Sequence, residues 1–212
     1  HREKDLPYGL DFSIVQDRSN SVTLEKQLLR LDGSQFWANI SFSAIQFDEE
    51  ELFMSTIIDI SDRKEAEAMM AYLNDHDQLT GCKNRYFFEN HLIFFEASEH
   101  WPNAFVIVDV NGLKLFNDAF GFEHGNVMIK SVANILLRNT PNNGHTIRYG
   151  GSEFLVALPQ HDLFKTLAWI RNIKDQIAEF NMNEIQISVS TGYALMENDH
   201  QSIAQLLAKA EE

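Results

Sequence analysis

Cysteine is nearly absent from this chain: among 212 residues, only Cys82 carries a thiol. One thiol cannot form an intramolecular disulfide, which excludes a disulfide-stapled secreted scaffold and favours a reducing compartment. Proline is also scarce, with 4 residues, so long disordered linkers are not expected. No apolar run approaches the roughly 18 residues of a membrane-spanning helix, and the first residues show no signal-peptide pattern. We therefore expect a cytoplasmic protein with no membrane segment in this chain.

Basic residues are the second shortage, with 17 Lys and Arg against 31 Asp and Glu and a net charge of -14. This charge makes a nucleic-acid backbone an unfavourable partner, so nucleic-acid binding is not expected. A nucleotide can still bind such a protein where Mg²⁺ screens its phosphates and carboxylates hold the metal. The composition is otherwise globular, at 44% hydrophobic and 11% aromatic residues. Because the sequence starts abruptly and stops within a helical pattern, we expect it to be a piece of a larger protein.

Alternation of apolar and polar residues predicts an antiparallel β-sheet within residues 22–60. Its strands are predicted at 22–31, 36–44 and 52–60. Asp32-Gly33, between the first two strands, is a strong hairpin signal. The helix predicted next, at 62–74, carries an apolar stripe that is too short to prove a coiled coil. Two interpretations of this helix stay open: it packs on its own domain, or it is a connector through which the protein dimerises.

Stretches around this sheet resemble the C-terminal half of a PAS sensor domain. They are RLDGSQFW at 30–37, the strand that follows it, and DISDRKEAE at 59–67. In PAS domains the Asp-Ile-Ser unit ends the last strand and leads into a signalling helix. The resemblance implies that residues 1–60 are the C-terminal part of a PAS-like sensor domain, although the first half of that domain is not evident in 1–21. It also implies that 61–74 form a signalling linker helix and that a homodimer forms through both.

From residue 75 onward, helices and strands alternate, which is typical of an α/β domain. Helices are predicted at 85–96, 126–138 and 163–180, and strands at 104–110, 146–147, 154–158 and 185–189. Gly150 and Gly151 lie between two of these strands. Because neither carries a Cβ, they predict a tight hairpin that a ligand can approach closely.

Asp109 is a candidate metal ligand, since it ends an apolar strand and a polar loop is predicted after it. Such strand ends open onto clefts in α/β sheets; the alternative is that Asp109 caps a turn or the following helix. Glu153 follows the glycine pair, so a hairpin beside the Asp109 strand would bring the two carboxylates together. A cation would relieve their repulsion, and without a Cys/His cluster we expect Mg²⁺ or Mn²⁺.

Three separated blocks resemble, in order, the motifs of the GGDEF family, the diguanylate cyclases that join two GTP molecules into cyclic di-GMP. The blocks are DHDQLTGCKNR at 75–85, DVNGLKLFNDAFGFEHGN at 109–126 and RYGGSEF at 148–154. Three motifs in order are far more specific than one. The resemblance implies a C-terminally truncated GGDEF-like domain over 75–212. The expected fold class is α/β (α+β): a mostly antiparallel central sheet flanked by helices, similar to nucleotide cyclases and polymerase palm domains, with an N-terminal antiparallel segment of PAS type.

At matching positions the resemblance implies a divalent-cation site and a GTP site. The metal ligands would be Asp109, Glu153 and the Val110 carbonyl. The GTP contacts would be Lys114 to phosphate, Asn117 and Asn126 to guanine, and the backbone of Gly150 and Gly151 to the triphosphate. The family's reaction is attack of the 3′-hydroxyl of one GTP on the α-phosphate of a second. Two domains, each holding one GTP, must therefore meet face to face.

Substitutions within this site set the chain apart from the family. The resemblance implies that Ser152 and Glu153 are the catalytic positions. Ser152 replaces an acidic residue there, and its hydroxyl, neutral at pH 7, binds metal weakly and is no general base. Asn126 replaces an aspartate that accepts hydrogen bonds from guanine, which weakens or alters base selection. The RxxD product-inhibition site is absent, and Pro141-Asn142-Asn143-Gly144 stand in its place. We therefore expect GTP and cation binding with weak or lost cyclase activity; the alternative is an active cyclase that makes cyclic di-GMP and two pyrophosphates.

Overall fold

The computed structural model describes residues 22–47, 50–97, 99, 101–182, 185–198 and 202–211. The chain divides into two compact units, His1–Ala71 and Tyr72–Glu212. Each contains its own cluster of buried apolar residues. Of the predicted PAS-like segment, residues 1–21 lie outside the described residues.

The first unit contains an antiparallel sheet. Its strands are β1 (Val22–Leu29), β2 (Gln35–Phe47) and β3 (Glu50–Asp59), and helix α1 (Ser61–Asp75) follows them. The strands pair in the order β1-β2-β3. The three strands and the helix after them agree with the prediction from the sequence. Gly33 has a φ of 84°, the left-handed conformation that the Asp32-Gly33 turn requires. One face of the sheet buries Leu28, Ala38, Ile40 and Phe42.

The second unit is a layered α/β domain. Its strands are β4 (Lys83–Asn84), β5 (Asn103–Val110), β6 (His145–Arg148), β7 (Glu153–Leu158), β8 (Asn181–Met182), β9 (Ile185–Gln186) and β10 (Val189–Met196). Its helices are α2 (Arg85–Asn90), α3 (Leu92–Glu96), α4 (Leu113–Phe120), α5 (Phe122–Asn139), α6 (Leu163–Ala178) and α7 (Ile203–Glu211). Five strands form the main sheet in the order β10-β5-β7-β6-β4, antiparallel except for the β4–β6 pair. The predicted α/β fold with a mostly antiparallel central sheet is confirmed.

Side chains of the central strand β5 alternate between two apolar layers. Val106, Val108 and Val110 belong to the layer that contains the buried side chains of α5 and α6. Phe105 belongs to the opposite layer, with buried side chains of α2, α3 and α7. Since successive side chains of a strand point to opposite faces, Asp109 shares its face with Phe105. The polar end of β5 is therefore on the side of the sheet that α7 covers.

The prediction of a loop after β5 is wrong, because Lys114 and Asn117 lie on helix α4. Gly112, with a φ of 71°, and Gly121, with a φ of 86°, turn the chain into and out of this helix. Glycine adopts such angles without steric cost, and the polar residues between the two glycines were interpreted as a loop. Helix α5 accordingly begins at Phe122, earlier than predicted.

The last predicted strand, at 185–189, is wrong in its extent. Ile185–Gln186 form β9 with β8, whereas the strand beside β5 is β10. Gly192 in the middle of β10 weakens the strand pattern in the sequence. Its presence has a physical reason, since a Cβ at this position would lie 1.6 Å from the Ala210 carbonyl oxygen of α7. The single helix predicted at 85–96 is divided into α2 and α3, because His91 has a φ of -117° and a ψ of 22°.

Candidate functional site

Asp109 lies at the end of β5 between two neighbouring strands. In the sheet register it is opposite Glu153 of β7 on one side and Ser190 of β10 on the other. Directly opposed residues of an antiparallel pair have Cβ atoms about 4.5–5.5 Å apart. The structure therefore brings together the two carboxylates that were expected to share a metal. Like charges at this separation repel, so a cation between them is stabilising.

The turn between β6 and β7 is held against the end of β5. Within the turn, the Tyr149 and Gly150 backbone N–H groups donate to the Glu153 carbonyl oxygen, at 2.9 and 3.2 Å respectively. The Val110 N–H donates to the Ser152 carbonyl oxygen at 3.0 Å. The Ser152 hydroxyl donates to Oδ1 of Asp109 at 2.6 Å. Both the backbone and the side chain of Ser152 therefore hold it beside Asp109.

A cleft of about 630 Å³ opens over this end of the sheet. It is lined by Ile107, Asp109, Gly151, Ser152, Glu153, Ser190, Thr191, Gly192 and Ala210. Two carboxylates and several hydroxyl groups make this lining polar. The volume is within the range of about 300–1,000 Å³ that is usual for small-molecule sites.

Arg148 ties this turn to the segment that precedes β4. Its guanidinium donates to both carboxylate oxygens of Asp77, at 3.0 and 3.1 Å, and to the Gly151 carbonyl oxygen at 2.9 Å. The Thr80 N–H and hydroxyl donate to the same carboxylate at 2.9 and 2.7 Å. Partial burial raises the pKa of Asp77, but the hydrogen bonds from Thr80 and Arg148 outweigh it and hold the pKa below its ordinary value. The motifs at 75–85 and 148–154 were both predicted from the sequence. The contact between Asp77 and Arg148 was not, because it joins residues 71 positions apart.

Asn111 joins the end of β5 to the start of β10 and was also missed as a site residue. Its amide donates to Oγ of Ser188 at 3.0 Å and accepts from Oγ of Ser190 at 2.8 Å. Its backbone N–H donates to the Ser188 carbonyl oxygen at 3.0 Å. Because Ser190 is opposite Asp109 in the register, this cluster fixes the second wall of the cleft. A correct position for β10 would have been needed to predict it.

Lys114, Asn117 and Asn126 do not line this cleft but lie on α4 and α5. Lys114 is exposed, and the two asparagines are half-buried. Oδ1 of Asn117 is buried and has no hydrogen-bond partner among the described residues. It lies against Gly125, where a Cβ would be only 1.8 Å from this oxygen. Buried acceptors are normally paired, so an orphaned one marks a place where a donor group of a ligand can bind.

The donor set around Asp109 fits one hard divalent cation. Asp109 and Glu153 supply carboxylate oxygens, and the Ser152 hydroxyl is a neutral oxygen donor beside them. In the part of the chain that the structure describes, no three His, Cys, Asp or Glu side chains gather into a metal-holding group. Oxygen ligands favour Mg²⁺ or Mn²⁺ over softer metals. Cys82 offers no thiolate, because burial raises its pKa to about 11.

Comparison with known proteins agrees with this fold and places the domain among relatives. Residues 74–212 match the family described as "Diguanylate cyclase, GGDEF domain". The coiled coil and GGDEF domain of DgcB from Caulobacter crescentus, solved in complex with c-di-GMP, is similar at 22% identity and a TM-score of 0.65, covering 72% of this chain and 84% of that one. The GGDEF domain of YfiN (TpbB) from Pseudomonas aeruginosa is similar at 27% identity and a TM-score of 0.55, covering 61% of this chain and 86% of that one.

Curated relatives include an uncharacterized membrane protein of Staphylococcus aureus (strain USA300). It is 30% identical over 132 residues, which cover 58% of this chain and 37% of the relative. The chain thus spans well under half the length of that relative. Within the described ranges of this chain, no helix has both the length and the apolar character needed to cross a bilayer.

Proposed function

The chain belongs to the GGDEF family of diguanylate cyclase domains through residues 74–212, and from this premise we propose that its cleft binds GTP with one divalent cation but has weak or lost cyclase activity. The domain is accordingly a module of cyclic di-GMP signalling. In this proposal GTP binding survives while turnover is weak or lost, so the protein signals mainly through its bound nucleotide rather than through its product.

The observation that carries this proposal is the hydrogen bond from Ser152 to Asp109. Ser152 stands where the family has an acidic residue, and its hydroxyl already donates its proton to Oδ1 of Asp109. A hydroxyl is not a base at pH 7, so it cannot accept the proton of the attacking 3′-hydroxyl. A positioned general base contributes about 10²–10⁴-fold to a rate. Losing it lowers turnover strongly while leaving the rest of the cleft in place.

Retained nucleotide binding is supported by four other features. Asp109 and Glu153 remain opposed and can hold the cation that screens the phosphates. The glycine turn leaves its backbone accessible beside them. The orphaned Oδ1 of Asn117 can accept a hydrogen bond from a guanine donor. Lys114 is exposed on the first turn of α4, where its ammonium can meet a phosphate.

An active diguanylate cyclase is the second candidate, and the preserved Asp109–Glu153 pair favours it, since the two residues can still hold one cation and a water could act as the base. The test is chromatography for cyclic di-GMP after incubation with GTP and Mg²⁺, comparing the wild type with Ser152→Asp. We expect little product from the wild type and a gain of about 10²-fold or more from Ser152→Asp. Robust wild-type product would contradict the proposal, and no gain would show that Ser152 is not the main defect.

For the rest of the chain we propose a PAS-like sensor segment at 1–60, a linker helix at 61–74 and a homodimer through both. The antiparallel sheet β1-β2-β3 followed directly by α1 supports this organisation. Met69 and Met70 of α1 are exposed, at 55% and 71%, as a dimerising helix requires. We also propose a cytoplasmic location, where GTP is available. Light scattering during size-exclusion chromatography tests the dimer, and a monomer at micromolar concentration would contradict it.

A further inference from the structure

We propose that Ser152 is a positioning residue that holds Asp109 ready for a single divalent cation, and that the protein alone binds one such ion rather than two. Because Ser152 belongs to the cleft described above, this role rests on the proposed function. In this role Ser152 does more than lack the acidic side chain of the family. The serine retains a contact with Asp109 and thereby gives the remaining carboxylates a defined arrangement.

The position of Ser152 is set independently of its hydroxyl. Its carbonyl oxygen accepts from the Val110 N–H at 3.0 Å, and the next residue, Glu153, is in register with Asp109. The sheet ladder therefore places the hydroxyl beside Oδ1 of Asp109, at 2.6 Å. This distance lies in the range of a charge-assisted O–H···O⁻ hydrogen bond, which is stronger than a neutral one. The bond fixes the orientation of the carboxylate and leaves its Oδ2 for a cation.

The charges of the site then limit the number of ions. Asp109 and Glu153 carry two negative charges, and Arg85 interacts electrostatically with Glu153, so the remaining negative charge does not exceed that of one divalent cation. In the described residues, no third acid, histidine or cysteine joins them. A second ion would meet the neutral Ser152 hydroxyl, and an unbalanced charge in a cleft is unfavourable. Ser152 orients a ligand of a one-ion site, as the hydrogen-bond partners of metal ligands do in other metal-binding proteins.

The experiment is a Mn²⁺ titration of the full chain without nucleotide, in which electron paramagnetic resonance measures free Mn²⁺. We compare the wild type with Ser152→Ala, which removes the donor, and with Ser152→Thr, which keeps a hydroxyl. Ser131→Ala is the matched control, because that hydroxyl donates to the Val127 carbonyl oxygen within α5, at 2.9 Å, away from the cleft. We expect one Mn²⁺ per wild-type chain. Ser152→Ala should raise the dissociation constant about tenfold, and the other two variants should stay within about twofold.

Two Mn²⁺ ions per wild-type chain, no bound Mn²⁺, or a Ser152→Ala affinity equal to that of the wild type would overturn the proposal. Far-UV circular dichroism of each variant confirms that it is folded, and the threonine variant shows that a hydroxyl alone restores binding. Since no nucleotide is present, the titration is independent of GTP. Mn²⁺ binding as expected, without GTP binding in calorimetry, would support the role of Ser152 and contradict the proposed function alone.

Discussion

Replacing Arg148 by alanine should destabilise the second unit and loosen the turn that carries Ser152. The Arg148 guanidinium binds both carboxylate oxygens of Asp77 and also donates to the Gly151 carbonyl oxygen. In Arg148→Ala, the hydrogen bonds that remain to the Asp77 carboxylate from the described residues are those from Thr80. The Gly151 carbonyl loses its side-chain donor at the same time. One substitution thus leaves a half-buried charge without its ion partner and releases one end of the turn.

The degree of burial sets the size of this effect. Removing one partner of a fully buried ion pair costs about 3–5 kcal/mol, whereas an exposed pair contributes about 0–1 kcal/mol. The side chains of Arg148 and Asp77 are 17% and 24% exposed, which lies between these limits but nearer to the buried one. We therefore expect the free energy of unfolding to fall by about 2–3 kcal/mol.

Urea unfolding at pH 7, followed by circular dichroism, measures this change. The control is Arg85→Ala, because the Arg85–Glu89 pair has a similar separation of 2.7 Å but side chains that are 59% and 50% exposed. The Arg85 guanidinium also lies over the Tyr149 ring, 4.7 Å from its centroid. Exposed interactions of both kinds are weak, so the control should lose only about 1 kcal/mol. If Arg148→Ala loses no more than Arg85→Ala, the Arg148 contact does not stabilise the unit and the reasoning fails.

Three further predictions concern Asp77, Gly125 and Gly192. The folded-state pKa of Asp77 is lowered, so its contribution to stability is complete above the unfolded pKa of about 3.9 and is lost as the pH falls through the folded value. Acid unfolding curves should therefore be steeper below about pH 4 for the wild type than for Asp77→Asn, and equal slopes would contradict this. Gly125→Ala places a Cβ 1.8 Å from Oδ1 of Asn117 and should weaken GTP binding about tenfold in calorimetry, since the displaced amide can no longer accept from the ligand; unchanged affinity would exclude Asn117 as a contact. Gly192→Ala places a Cβ 1.6 Å from the Ala210 carbonyl oxygen, so α7 must move away from β10. The free energy of unfolding, measured in urea, should fall by about 2–3 kcal/mol. A variant as stable as the wild type would show that α7 moves without a cost in stability.

Local patterns predicted the elements whose signals lie within a few residues. The turn at Asp32-Gly33 needed a positive φ, and alternation marked the strands on either side of it. The hairpin around Gly150 and Gly151 was predicted because neither glycine carries a Cβ, and β6 and β7 pair as expected. These features depend on neighbouring residues, so the sequence alone carries enough information to predict them.

Features that depend on distant packing were missed. Gly192 interrupts the pattern of β10, and only the carbonyl of Ala210 shows why a glycine is there. The short helix α4 lies between Gly112 and Gly121, whose conformations depend on how α4 and α5 pack. Within the site, the opposition of carboxylates was expected from the hairpin, but the Ser152–Asp109 hydrogen bond needs the sheet register, which no local pattern contains.

The central claim is that the cleft still binds GTP through a cation held by Asp109 and Glu153. Calorimetric titration of the wild type and Asp109→Asn with GTP, each with and without Mg²⁺, tests it most directly. We predict Mg²⁺-dependent GTP binding to the wild type. For Asp109→Asn the dissociation constant of GTP should be at least tenfold higher, because the variant removes one of the two charges that hold the ion. Equal Mg²⁺-dependent binding to both proteins, or no binding to the wild type, would contradict the claim.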